Sequence, residues 1–169
     1  MKLIATLITA CLAVILYVSD ENISECSANL TVEKDRKAKS ADEDGAQFIL
    51  ILTNTSNGTK TFNLSTKNLS TPCNNKTSQY NRGTNSNNTV LDVSLENISS
   101  NRNSSPNAST SNVELSSGES YKFIVNVTVP KGTPYNTWSC IEVEVNSEDC
   151  ESLSETQTLS VFVVDPSEG

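Results

Sequence analysis

Residues 113–145 read Val113-Glu-Leu-Ser-Ser-Gly118-Glu-Ser-Tyr121-Lys-Phe123-Ile-Val125-Asn-Val127-Thr-Val129-Pro-Lys-Gly132-Thr-Pro-Tyr135-Asn-Thr-Trp138-Ser-Cys140-Ile-Glu142-Val-Glu144-Val145. From Tyr121 to Val129 apolar and polar residues alternate: Phe123, Val125, Val127 and Val129 share one face, and Lys122, Asn126 and Thr128 share the other. A period of two is the mark of a half-buried strand. Pro130, Gly132 and Pro134 break the run, and a second begins at Trp138, with Ile141, Val143 and Val145 inward and Glu142 and Glu144 outward. Two antiparallel strands joined by a punctuated connection, a hairpin, are expected.

The same period recurs outward from this stretch. Leu30 and Val32 alternate with polar residues and mark a first strand at 29–34. Phe48 to Leu52 is nearly continuous in apolar residues, as in a central strand covered on most of both faces. Further strands are expected at 61–66 with Phe62 and Leu64 inward, at 90–95 with Leu91, Val93 and Leu95 on one side, and at 156–164 with Leu159, Val161 and Val163 inward. Between them, 34–45 reads as a charged connection, and 68–88 and 97–112 as Asn/Ser-rich loops too polar to fold alone. About seven strands without a segment of helical period predict an all-β protein with two antiparallel sheets packed face to face, an immunoglobulin-like β-sandwich.

The chain has 169 residues and a formal charge of -8 at pH 7. Residues 1–19 read as a cleavable signal peptide, with Lys2 ahead of an apolar run to Val18, and 20–169 as a single domain. A short membrane anchor is the alternative, and Ile8-Thr9-Ala10-Cys11 offers a lipoprotein-like site as a third reading. The acidic balance repels nucleic acid and anionic lipid, so membrane association is expected only through the N-terminal segment, if retained.

Four cysteines remain beyond the leader: Cys26, Cys73, Cys140 and Cys150. In an exported chain an even count implies two disulfides, with three possible connectivities. Cys140 and Cys150 flank the turn at 146–149, which favours a local Cys140-Cys150 bridge at the surface and Cys26-Cys73 as the other. Without histidine or a Cys-x-x-Cys spacing, zinc is disfavoured.

The residues at 48–65, Phe48-Ile-Leu-Ile-Leu-Thr-Asn54-Thr-Ser-Asn57-Gly-Thr-Lys-Thr-Phe62-Asn-Leu-Ser65, resemble the second and third strands of bacterial and archaeal immunoglobulin-like domains of the NEW3 and CARDB kind. The turn at 113–120 and Val127-Thr-Val-Pro-Lys-Gly-Thr-Pro134 are similar to that family's turn, strand and proline-glycine link. The resemblance covers roughly 29–164 and implies architecture. Such domains occur across adhesins, enzyme accessory modules, surface layers and filaments.

The lack of histidine removes the commonest general base, and no Ser, Cys or Lys stands in a nucleophile motif, so no enzyme and no cofactor are expected. Glu142 and Glu144 would lie about 6.5 to 7 Å apart on one strand face, a pairing that could in principle serve glycoside hydrolysis; solvent-facing alternating charge is the simpler reading. Tyr135 and Trp138 are the ligand-contact candidates, able to stack on a sugar or anchor a protein, unless Trp138 instead covers the end of the sandwich. Asp42, Glu43 and Asp44 form an oxygen-rich turn with weak calcium character.

Twelve of the twenty asparagines stand in Asn-x-Ser/Thr sequons: Asn22, Asn29, Asn54, Asn57, Asn63, Asn68, Asn75, Asn87, Asn97, Asn103, Asn107 and Asn126. This excess points to a glycosylated surface. The expected function is that of a non-catalytic exported structural module that assembles with itself or with other surface proteins in an adhesin, surface layer or filament. In one version, residues 20–34 leave their own sheet and complete a neighbour's. Carbohydrate or protein binding through Tyr135 and Trp138 is the alternative.

Overall fold

A computed structural model of the chain describes residues 26–73, 87–97 and 110–168. The leader and the sequons at Asn22, Asn75, Asn103 and Asn107 lie outside the described residues. The strands, in chain order, are β1 (Ala28–Val32), β2 (Ala38–Ala41), β3 (Ala46–Asn54), β4 (Lys60–Asn68), β5 (Asp92–Asn97), β6 (Thr110–Leu115), β7 (Ser120–Thr128), β8 (Thr137–Ser147) and β9 (Cys150–Val163). Short 3-10 turns at Glu33–Asp35 and Pro166–Glu168 are the helical elements among the described residues.

Two sheets form. One has the order β1-β3-β7-β5 and the other β2-β9-β8-β4-β6. All pairings are antiparallel except β2 with β9, which is parallel and runs from Ala38 opposite Ser160 to Ala41 opposite Val163. First, second, fifth and fourth strands side by side, facing third, sixth and seventh, is the immunoglobulin order once β2 and β6 are set apart as additions. The protein is therefore an all-β, immunoglobulin-like sandwich.

The predicted inward faces meet in the core. Phe48, Leu50 and Leu52 of β3 and Tyr121, Phe123, Val125 and Val127 of β7 oppose Phe62, Leu64, Ile141, Val143, Val145, Leu159 and Val161 from the other sheet. Each fully buried Leu or Phe contributes about 1.5–3 kcal/mol relative to exposure, so this interface dominates the stability.

Four expectations need correction. The 113–145 stretch is no hairpin, since β7 and β8 belong to different sheets. The residues between them supply ample length to cross the roughly 10 Å between sheets. The tight hairpin is β8–β9, turning at Glu148 and Asp149. Ile49 and Ile51 alternate outward and are half-buried, so β3 is covered fully on one face only. The charged connection at 34–45 contains β2, and the 97–112 loop gives way to β6 at Thr110, which gives nine strands among the described residues.

Gly45 sets the entry to β3. It has φ +82°, and a Cβ placed there would lie 2.1 Å from the Val127 carbonyl oxygen, so no other residue fits this turn.

Candidate functional site

The disulfides pair Cys26 with Cys150 and Cys73 with Cys140, with Cα separations of 5.8 and 4.8 Å. The expected Cys140-Cys150 and Cys26-Cys73 bridges are thus corrected. Strand register gives the reason. Cys150 lies opposite Ser147, whereas Cys140 lies opposite Ser160, far along the ladder. Seven residues of strand from Cys140 to Ser147 span roughly 24 Å, well beyond disulfide reach.

Cys150 is buried in the core, and Cys26 packs against it just before β1, so this bridge ties the start of one sheet to the other. The second closes across the outer face of β8, where Cys140 is buried instead of exposed beside Glu142. The two loops, 124 and 67 residues long, overlap. On the loop-entropy account each alone is worth roughly 4–5 kcal/mol, and together less than the sum.

That outer face is built where β4 ends. The ladder between β4 and β8 stops at Asn68 opposite Ile141. Beyond it, Leu69 N–H donates to the Cys140 carbonyl at 2.9 Å, and Thr89 N–H donates to the Trp138 carbonyl at 3.2 Å. The Asn88 side chain completes the substitution, accepting the Cys140 N–H at 2.6 Å and donating to its carbonyl at 3.1 Å. Asn68 does the same for Leu91, donating to its carbonyl at 2.9 Å and accepting its N–H at 3.2 Å. Two amide side chains thus stand in for a missing strand.

Trp138 is part of this cover. It is 7% exposed and packs on Phe162, with ring centroids 5.0 Å apart, while Tyr135 is 46% exposed. The pair does not form an exposed platform. Of the two only Tyr135 keeps the exposure a ligand contact needs, and Val90 at 66% is the other large exposed apolar residue among the described residues.

Glu142 and Glu144 share the outer face of β8 as expected, but Lys67 of β4 lies between them. Its ammonium is 2.7 Å from Glu142 and 3.6 Å from Glu144. The hydrogen bond to Glu142, then the Glu142 charge, hold the lysine above its ordinary pKa, with Glu144 adding to the effect. Two carboxylates sharing one cation are an ion-pair ladder, not a free acid and base. The Asp42–Asp44 turn is likewise self-satisfied: Asp42 Oδ1 accepts the Asp44 N–H at 2.9 Å, and the Asp42 carbonyl accepts the Gly45 N–H at 3.0 Å. No group of three or more potential metal ligands forms among the described residues.

The sequons divide sharply. Asn29, Asn57 and Asn87 are exposed. Asn63 and Asn126 are half-buried and donate to Glu148 and Glu96, respectively. Asn97 is half-buried at the end of β5. Asn68 serves as the clamp just described. Asn54 is 0% exposed: its Nδ2 donates to the Gly58 and Leu115 carbonyls, and its Oδ1 accepts the Ser56 N–H. As a glycosylation candidate Asn54 is therefore corrected, because both amide hydrogens are spent inside the fold.

The two sides of the sandwich differ. On one, β1 and β2 both lie against β9, and the Leu30 carbonyl of β1 accepts the Gln157 amide of β9 at 2.9 Å. On the other, β5 and β6, which end their sheets as β1 and β2 do at the opposite ends, lie near each other. Of the 20–34 segment expected to leave its sheet, residues 20–25 lie outside the described residues, 28–32 pair with β3, and Cys26 is bonded to Cys150.

No protein-family model matches the chain, and no curated protein matches it. Among solved structures, it is similar to a family 123 glycoside hydrolase from Clostridium perfringens at 14% identity and TM-score 0.47, covering 82% of this chain and 28% of that one. The chain thus spans less than a third of the hydrolase. It is similar also to the ASH/PapD-like domain of human CEP192 (10% identity, TM-score 0.44, 89% and 92% covered) and to the E. coli chaperone DraB (14%, 0.41, 83% and 56%). At such identities the likeness concerns the general arrangement of strands and no further.

Proposed function

We propose that the chain is a non-catalytic structural module of the cell exterior, exported by residues 1–19 and folded as one domain over 20–169, which works by protein contact in an adhesin, surface layer or filament. The observation that carries this reading is the asymmetry of the sandwich. All four of β1, β2, β5 and β6 end a sheet, but the β1–β2 side is tied to β9 by Cys26–Cys150 and by the Gln157 bond to the Leu30 carbonyl, and the β5–β6 side carries neither tie. Edge strands are templates for strand addition, so a partner strand docks there, the chain acting as acceptor and not as donor. Two disulfides support an oxidising compartment.

Sedimentation of the oxidised chain, alone and with the surface-protein fraction of its source, tests the proposal. Ser94→Lys with Asn112→Lys puts charge on both terminal strands. Association that this variant abolishes at unchanged melting temperature is expected. A chain that stays monomeric and captures nothing in an edge-dependent manner overturns the proposal.

A further inference from the structure

Two sequons share one turn. Residues 54–59 read Asn-Thr-Ser-Asn-Gly-Thr, so Asn54 and Asn57 carry the same local signal three residues apart. We propose that Asn57 is a carbohydrate attachment site and that Asn54 is a structural amide that carries none. The inference rests on the reading of the chain as exported.

Attachment joins the asparagine Nδ2 to the anomeric carbon of a sugar. The donor class is a lipid-linked oligosaccharide, whose bond from the anomeric carbon to a phosphate oxygen breaks as the lipid pyrophosphate leaves with the electron pair. The amide loses one hydrogen and keeps the other. The product therefore needs an Nδ2 that faces solvent and can give up a donor.

Asn54 meets neither condition. Its two hydrogens go to Gly58 at 3.0 Å and Leu115 at 2.9 Å, and its oxygen takes the Ser56 N–H at 2.9 Å. Its backbone is equally committed, donating to Glu119 and accepting from Gly118. Ser56, the hydroxyl residue of the Asn54 sequon, is also buried, exchanging hydrogen bonds with the backbone of Ser27 and accepting Ser117 at its carbonyl. The inner half of the turn is thus the knot that ties β1, β3 and the 116–119 turn together.

The outer half lies at the surface. Asn57, Gly58 and Thr59 are all exposed and belong to no strand. Gly58 has φ +78°, and a Cβ there would meet nothing within 4 Å, so space around the sequon is open. The sequon reaction also needs the Ser/Thr hydroxyl beside the amide, which requires a bent backbone. In the strand sequons at Asn29, Asn63 and Asn126 the two side chains share a face but stand about 6.6–6.8 Å apart, locked by the ladder. At Asn87 the next two residues are bonded down to Cys140 and Trp138. Asn57 alone among the described sequons combines exposure of all three residues with freedom from a ladder.

The full-length chain is produced in an N-glycosylating secretory host, recovered from the medium, and treated with peptide N-glycosidase in heavy-oxygen water. Peptide mass spectrometry then reads which asparagines have become labelled aspartate. Label at 57 and none at 54 is expected. Asn57→Gln should lose one glycan at unchanged melting temperature, whereas Asn54→Gln should fail to appear as folded protein in the medium. An unlabelled Asn57 in secreted chain, or label at Asn54, overturns the assignment while leaving export intact. Retention of the unprocessed chain in the cell overturns the export reading and the assignment with it.

Discussion

The side chain of Asn88 brackets the peptide unit of Cys140, taking its N–H at 2.6 Å and returning a hydrogen bond to its carbonyl at 3.1 Å. This contact replaces a strand that β4 no longer supplies, on the face where Cys140 is bridged to Cys73. Asn88→Ala orphans the Cys140 N–H, because the carbonyl alone keeps a second partner in Leu69. The expected loss is about 1–3 kcal/mol in urea denaturation with both disulfides intact, together with faster hydrogen exchange at the Cys140 amide.

Gly45→Ala separates steric clash from backbone preference. The new methyl would sit 2.1 Å from the Val127 carbonyl oxygen at φ +82°, whereas Gly118, at φ +75°, has open space around it. Gly118→Ala should cost about 1–2 kcal/mol from the left-handed conformation alone. Gly45→Ala should cost more, at least about 3 kcal/mol, since the turn and β7 must also part. Equal costs, measured by thermal denaturation, would show that β3 and β7 give way freely here.

Trp138→Ala distinguishes a covering residue from a binding platform. Packed on Phe162 and nearly buried, Trp138 should cost about 3–5 kcal/mol when truncated. Tyr135→Ala, at an exposed position, should change stability by no more than about 0.5 kcal/mol. A Trp138→Ala protein of undiminished stability would return that residue to the surface.

Stability should fall off at both pH extremes for identifiable reasons. Glu33 is held below the usual carboxylate pKa by its hydrogen bond to Lys122, and Asp165 by the Ser167 hydroxyl and then its N–H. A lowered folded value stabilises the fold above the unfolded pKa of about 4, and the benefit is lost as pH falls through the folded value. Lys67 is raised by Glu142, so its contribution is complete below the unfolded lysine value of about 10.4 and disappears as pH climbs through the folded one. Denaturation midpoints against pH should show a flatter acid limb in Glu33→Gln with Asp165→Asn, and a flatter alkaline limb in Lys67→Met.

Much of the core was legible because burial imposes a local period. The inward set of Tyr121–Val129 and of Ile141–Val145 needs only the pleat, and those side chains are buried, Val129 partly. Which sheet a strand joins is a different kind of fact. The break at Pro130–Pro134 serves a hairpin or a crossover equally well, and only the competition of β3 and β5 for the edges of β7 decides. The cysteine pairing failed for the same reason: proximity along the chain around Glu148 concealed a register that carries Cys140 away from Cys150. β2 escaped notice because Ala38-Lys-Ser-Ala41 has little apolar content and owes its place to β9. Asn54 and Asn57 look alike in sequence, since nothing local reveals that the Leu115 carbonyl waits for one of them.

β5 and β6 form the side proposed to receive a partner. Hydrogen exchange on the oxidised chain, dilute against associated, tests this most directly. Added protection confined to amides of 92–97 and 110–115 is the predicted result. Protection that appears instead along 28–41, or association without any change at β5 and β6, would contradict it.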